Sequence, residues 1–306
     1  YSVLENARAK ALPLASSARS QHLPTAVLVH GLDSSRETFT GAHSKLHSLG
    51  YPVLALDLRG HGESPFGDKD DFSPESLAAD VLAAIRGHSI ERCVLLGHSM
   101  GGRIAMRAAA LEIASKDPPV VMGLIIEDMD LRVRDLPPAL KDEQQSEAMS
   151  RFLTPNGRRF SSWEAARAAL LPWYADDSDR VDGWRNKRVR AQKDGSWWSD
   201  INPAAQRLAK ERVLASTDGS AAWDELASQG PLPFSVHVWY ADRAGLPGGT
   251  VCELSGPGGI EDMQRRLPCA SFRFFADSGH SIHNTNPDDF VNAVINVIGE
   301  ASLRTK

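Results

Sequence analysis

Cysteine is scarce in this chain of 306 residues, with three in all: Cys93, Cys252 and Cys269. So odd and sparse a set is no disulfide framework; it favours a reducing compartment, with Cys93 as a buried thiol in an apolar run and a Cys252 to Cys269 bridge left open. Positive charge is not in excess either. Lys and Arg number 34 against 39 Asp and Glu, a formal net charge of −5, so the basic footprint that phosphate backbones demand is missing and nucleic acid is not expected as a partner. Long apolar runs are absent too. Stretches such as residues 120–126 fall far short of the roughly 20 residues that cross a bilayer, and no transmembrane segment is expected. The chain opens on Tyr1 rather than Met, with no apolar signal core. The expectation is a trimmed N-terminus on an intracellular protein, cytoplasmic or, after loss of a transit peptide, organellar. Beyond an Ala/Ser-rich stretch near residues 15–20, there is no repeat or low-complexity tract.

What is present is ordinary globular composition, 42% hydrophobic and 24% charged, on a chain long enough to bury a sizeable core. Residues 26–30 (AVLVH), 52–56 (PVLAL), 93–96 (CVLL) and 120–126 (VVMGLII) are continuous apolar runs that suit strands covered on both faces. Helical patterns lie between them. Ser73 can cap a helix with Pro74 at its first position, and Leu77, Val81 and Ile85 recur along one face. This alternation predicts an α/β fold, a mostly parallel central sheet flanked by helices. After Asp130 the pattern breaks for about a hundred residues, until 235–239 (SVHVW). That predicts an inserted helical subdomain at 131–227, with 1–130 and 228–306 as the core domain. A strand at 271–275 (SFRFF) and a last helix from Pro287, with Asn286 as its cap, complete the pattern.

Gly97-His98-Ser99-Met100-Gly101 is G-x-S-x-G, set between the strand 93–96 and a helical stretch at 102–116. A serine at so sharp a turn is crowded, its neighbours two positions away must lack a Cβ, and its hydroxyl is pushed out above the sheet. A nucleophilic serine needs a base, and the base an orienting acid. Gly279-His280 follows the last strand through a short polar loop, which puts His280 on the same carboxyl edge as Ser99. His283 is the alternative, as a rim or capping residue. His43 and His47 have helical spacing but no third ligand, so no metal site is expected, and His61 and His98 read as scaffold. Gly31 lets the N–H groups of Leu32 and Met100 face a developing oxyanion.

The segments HGLDSS (30–35), DLRGHGES (57–64), GHSMGG (97–102) and SGHSIH (278–283) together resemble the α/β-hydrolase superfamily, in its esterase-like branch with a cap domain between strands six and seven of the family sheet. The resemblance runs from residue 26 to residue 299. It implies Ser99 as nucleophile, His280 as base, Leu32 and Met100 as oxyanion donors, no cofactor, and a small-molecule ester as substrate. The acid departs from the family pattern. In most relatives it is an Asp three residues beyond a Gly after strand seven; if Ala241 stands for that Gly, the slot holds Ala244. Some relatives instead place the acid just after strand six, where this chain offers Glu127, Asp128 and Asp130 after the run 120–126; the resemblance thus implies Asp128 as first choice, Asp242 as second and the neighbours after them. Six of the seven tryptophans fall in the insertion, where they form subdomain core and, by the resemblance, a lipophilic wall over Ser99. The run Arg185-Asn186-Lys187-Arg188-Val189-Arg190 reads as a solvated face, with a surface that meets an acidic substrate or a membrane as the alternative. The function expected is hydrolysis of a lipophilic carboxylic ester. A thioesterase, lactonase or lipase on the same triad, or a silent receptor on the same fold, stands as the alternative; epoxide and haloalkane chemistry is disfavoured, since those relatives carry Asp in place of Ser99.

Overall fold

Strands that are apolar on both alternating faces can only be stable with a layer on each side. The computed structural model, which describes residues 23–115, 117–135, 150–154, 156–174, 177–241 and 252–304, has that arrangement. β1 (Thr25–Val29), β2 (Val53–Leu56), β3 (Cys93–His98) and β4 (Val121–Glu127) are buried along their whole length. Between them run α1 (Thr40–Ser48), α2 (Pro74–Gly87) and α3 (Met100–Ala114). An insertion follows, with β5 (Arg159–Phe160), α4 (Trp163–Leu170), α5 (Ser178–Asp182), β6 (Val189–Ala191), β7 (Trp197–Ser199), α6 (Pro203–Ala209), a π-helical turn at Lys210–Leu214 and α7 (Asp218–Ser228). β8 (Ser235–Ala241), α8 (Ile260–Arg266), β9 (Ser271–Phe275), α9 (Ile282–Thr285) and α10 (Pro287–Leu303) return to the sheet. Its order is β2-β1-β3-β4-β8-β9, every neighbouring pair parallel.

Alternation along the strands sorts their side chains into two apolar layers. Ala26, Leu28, Val53, Ala55, Val94, Leu96 and Ile125 pack with α1 and α10. Val27, Val29, Leu54, Leu56, Leu95, Leu124 and Ile126 face α2 and α3 in a layer continuous with the insertion. Each such Val, Leu or Ile contributes about 1.5–3 kcal/mol on burial. Arg103 of α3, wholly buried, donates to the carbonyls of Val213, Leu214 and Arg132 and so fastens the insertion to the sheet.

Three expectations need correction. The insertion is not purely helical: β5, β7 and β6 form a separate antiparallel sheet, whose strands of two or three residues are too short to leave a period in the sequence. Ser73 caps α2 as expected, accepting from the Ser76 N–H at 3.1 Å, but the Asn286 side chain caps nothing. It joins two consecutive helices, and its own N–H is spent on the Ile282 carbonyl of the first. Cys252 and Cys269 are both free thiols, so the bridge between them is not formed.

The loops at the carboxyl edge are tied by buried histidines. His30 accepts the Leu58 N–H at Nε2 while its Nδ1–H donates to the Gly31 carbonyl. His61 Nδ1–H donates to the Arg59 carbonyl, and His98 Nε2–H to that of His280. Burial drives His30 and His98 down to about 4 and His61 down to about 3, so all three are neutral. In the unfolded chain each titrates near 6.5. Because the folded values are depressed, the unfolded chain binds more protons between pH 6.5 and 4, and this stability, full above 6.5, is lost as the pH falls through that window. Three such groups approach a slope of about 4 kcal/mol per pH unit. Urea midpoints should therefore drop steeply below about pH 6.5, with an uptake of nearly three protons on unfolding; a flat profile there contradicts neutral burial.

Candidate active site

β3 runs straight into α3, and the single residue between them is Ser99, with φ 53° and ψ −124°. The helix begins at Met100 rather than at Gly102, so Ser99 is the residue that precedes its first turn. Such a backbone costs about 1–3 kcal/mol in a non-glycine residue and persists only where the surroundings enforce it. They do. A Cβ on Gly97 would sit 2.1 Å from the Gly101 carbonyl oxygen, and one on Gly101 would sit 2.4 Å from that of Val29. The Ser99 N–H donates to the Glu127 carbonyl at 2.8 Å, and the Ser99 carbonyl accepts from Gly102 at 2.7 Å.

β4 ends at Glu127, which leaves Asp128 at the carboxyl edge in a left-handed conformation, φ 46°. Its N–H donates to the Trp239 carbonyl, its Oδ1 accepts from Ala241 N–H at 3.4 Å, and its Oδ2 accepts the His280 Nδ1–H at 2.6 Å. Asp128 is completely buried, whereas the His280 side chain is 25% exposed and open to the site. With Nδ1 carrying the proton, Nε2 is the free base position. His280 and Ser99 are brought to one edge through His98, whose ring lies 4.6 Å from that of His280. The Ser99 hydroxyl is not itself hydrogen bonded to His280, a looseness common in such sites before substrate arrives. Asp242 lies outside the described residues.

Gly31 passes close against the serine: a Cβ there would be 3.0 Å from Ser99 Cβ and from His98 Nδ1. That close approach sets Leu32 beside Ser99. The Met100 N–H is the first of α3 and has no intrahelical acceptor. Leu32 directly follows Gly31 and Met100 directly follows Ser99, so both belong to the two segments that meet at the serine.

His283 is no rim residue. It is buried, with Nδ1–H donating to Glu127 at 2.8 and 3.0 Å, its N–H to Glu127 Oε1 at 2.9 Å, and Nε2 2.9 Å from Thr38 Oγ1. Burial pushes the Glu127 carboxyl up, but the neighbouring His283 and His98 outweigh it and hold it below its usual value. Sequence reasoning missed this second pair. Its one trace was the duplication itself, two adjacent acids answering two histidines three apart. Together with His98 these groups place ligand atoms within 4.8 Å of one another, the one metal-ligating cluster among the described residues. In it, Glu127 and His283 already satisfy each other. His43 and His47 lie apart, stacked on α1.

Cys252 is buried next to Asp128, to which its thiol donates; burial first, then the charges of Asp128 and Asp130, push that thiol up. The basic run divides: Arg185, Asn186 and Lys187 are exposed, as expected of a solvated face, while Arg188 and Arg190 are partly buried. Arg185 stacks over Trp163 and Trp197, Arg188 reaches Asp33, and Arg190 pairs with Glu37 and Asp200. The tryptophans of the insertion pack mainly on one another and on arginines: Trp163 on Trp197, Trp173 on Phe152, Trp184 on Tyr174, and Arg158 over Trp198.

Comparison with known proteins agrees with this architecture. The chain is 26% identical over 303 residues to the sn-1-specific diacylglycerol lipase ABHD11 of Mus musculus, covering 95% of this chain and 86% of that protein. Among solved structures, a marine microorganism esterase superposes with a TM-score of 0.62 at 21% identity, over 94% of this chain and 99% of that one. The thioesterase domain from the curacin biosynthetic pathway does so with a TM-score of 0.59 at 16% identity, over 92% and 98%. A sequence profile of the alpha/beta hydrolase family matches residues 26–294, and the chain belongs to that family.

Proposed function

We propose that the protein is a serine hydrolase that cleaves a carboxylic ester of a small lipophilic molecule through an acyl-enzyme. The observation that carries this is the 2.6 Å contact between His280 Nδ1 and buried Asp128 at the same edge as strained Ser99. Relatives named as lipases and esterases support it.

In this reading His280 Nε2 takes the proton of Ser99 as Oγ attacks the ester carbonyl. The carbonyl oxygen, now carrying the charge, receives hydrogen bonds from the N–H groups of Leu32 and Met100, each donor lowering the barrier by about 3 kcal/mol. Asp128 holds the ring in the tautomer that leaves Nε2 free and stabilises the imidazolium. The imidazolium then protonates the departing alcohol. Water, deprotonated by the same ring, attacks the acyl-enzyme and releases the acid and Ser99. Neutral His98 and His61 do not compete for these protons.

Ser99→Ala should abolish hydrolysis of p-nitrophenyl esters and labelling by a fluorophosphonate while leaving the circular dichroism spectrum intact. Residual burst-phase acylation in that variant contradicts the nucleophile, and a wild-type protein that is folded but never labelled supports the receptor reading instead. Asp128→Asn should lower kcat by up to about 10⁴-fold with little change in KM, because the wrong tautomer is then held. Glu127→Gln should chiefly lower the melting temperature, and Asp242→Asn should cost much less than Asp128→Asn; the reverse ranking overturns the choice of acid.

A further inference from the structure

Directly after Leu32, the chain carries a carboxylate that two arginines of the insertion approach and whose field Lys210 also feels. Asp33 has φ 53° and a side chain 13% exposed. Arg180 of α5 approaches it at 3.4 Å, Arg188 at 3.8 Å, and the Tyr174 hydroxyl at 3.5 Å. Lys210, at the start of the π-helical turn, adds its charge to Asp33 and Arg180 without an ion pair of its own among the described residues.

Two features set this cluster apart from the clamps elsewhere on the insertion. The first is stoichiometry. Arg190 meets two carboxylates, Glu37 and Asp200, and Arg107 meets Asp218 and Glu225, but here Arg180, Arg188 and Lys210 share Asp33, with Asp200 a further carboxylate in the field of Arg188. The second is looseness. A tight guanidinium–carboxylate pair closes to about 2.7–2.9 Å, as Arg36 with Glu63 does at 2.9 Å. Arg188 and Arg180 stand well outside that range, and Arg188 Nη2 is buried with no hydrogen-bond partner. Donors buried and unspent carry a desolvation cost that a ligand can relieve. Lys210 shows the same strain: burial pulls its ammonium below the usual value, and Asp33 opposes that fall. The π-helical turn that begins at Lys210 is itself a rare backbone form, found mostly at functional sites.

The geometry points to an anion subsite beside the Leu32 oxyanion donor, formed by Arg188, Arg180 and Lys210, which takes a carboxylate or phosphate group on one arm of the ester substrate. This rests on the serine hydrolase reading and narrows its substrate class to esters that carry an anionic group. Asp33 and Asp200 oppose the incoming anion, so the net attraction is that of three cations less these two carboxylates. Arg180 is half exposed at the mouth of the cluster, whereas the Arg188 Nη2 donor is buried. An anion is therefore met first by a solvated charge and held by a buried donor. The Tyr174 ring beneath the Arg180 guanidinium, 4.8 Å from its centroid, keeps that cation in place.

The test measures the rate at which Ser99 is labelled by three fluorophosphonates of equal chain length, ending in a methyl, a carboxylate or a phosphate. Wild type should react about tenfold faster with at least one anionic probe than with the methyl probe, an advantage that shrinks as salt rises. Whichever anionic probe gains more identifies the group. Lys210→Met and Arg188→Gln should each reduce the ratio of anionic to methyl rates at least about threefold. The ratio cancels any general loss of reactivity, and Lys210→Met removes no ion pair that holds the insertion. Equal rates for all probes in wild type, or a ratio untouched in both variants, overturn the subsite and leave the hydrolase standing. A Ser99 that no probe labels overturns the hydrolase reading itself.

Discussion

Two carboxylates one peptide apart at the end of β4 organise the whole catalytic edge. Glu127 and Asp128 are both completely removed from solvent, and a buried carboxylate is tolerable only when donors surround it. Each finds its donors on the same loop, Glu127 in His283 and Asp128 in His280. One pair is sealed, with both ring nitrogens of His283 engaged. The other leaves the Nε2 side of His280 open. The sealed pair fixes the loop that the open pair needs: with His283 bound to Glu127 through side chain and backbone, His280 is held three residues away. The Glu127 carbonyl meanwhile takes the Ser99 N–H. One strand end thus positions both His280 and Ser99.

Buried neutral histidines serve this geometry in a different way. His98 donates to the His280 carbonyl and His30 to that of Gly31, so each fixes a loop; burial opposes a charge on either ring, and on His30 a second proton would also displace the Leu58 N–H from Nε2. A cluster of imidazoles packed this closely is stable only while its members are uncharged. The same burial that rigidifies the edge also couples its integrity to pH, which is why the fold and the proposed chemistry share an acid limit.

The parts of this site that were legible in the sequence are those enforced over a few residues. Gly97 announces the turn at Ser99 because a Cβ there would strike the Gly101 backbone, a constraint that acts within five positions, whereas Gly101 is held free of a Cβ by the distant backbone of Val29 and His30. Asp128 could be placed because the strand before it is one apolar run whose end is visible. Contacts between distant segments leave no such trace. His283 meets Glu127 across 156 positions, and Arg180 meets Asp33 across 147; nothing local to either residue marks its partner. The basic run 185–190 was legible only in part for this reason, its first three residues being exposed and Arg188 and Arg190 partly buried. By composition it is a surface, and only the fold brings Asp33, Glu37 and the tryptophan rings up to it. Asn286 failed as a cap on the opposite ground, since a helix before it claimed the residue first.

Composition and local field then part company. The chain carries a net charge of −5, which argues against a polyanionic partner, yet its insertion concentrates arginines along the face that meets the core. Most of these are consumed: Arg190 bridges Glu37 and Asp200, and Arg158 is spent on the carbonyls of Gly62 and Ser64. Burial accordingly lifts Asp200 to about 6 even with Arg190 beside it. Such saturated contacts hold the insertion in place and have nothing left to offer a ligand. Around Asp33 the count is reversed, with more positive charge than carboxylate and a buried donor unspent. What a small substrate meets at the oxyanion residue is set by that local surplus, since charges more than about 8–10 Å away are screened by salt. An acidic protein can in this way present a cationic mouth to its substrate.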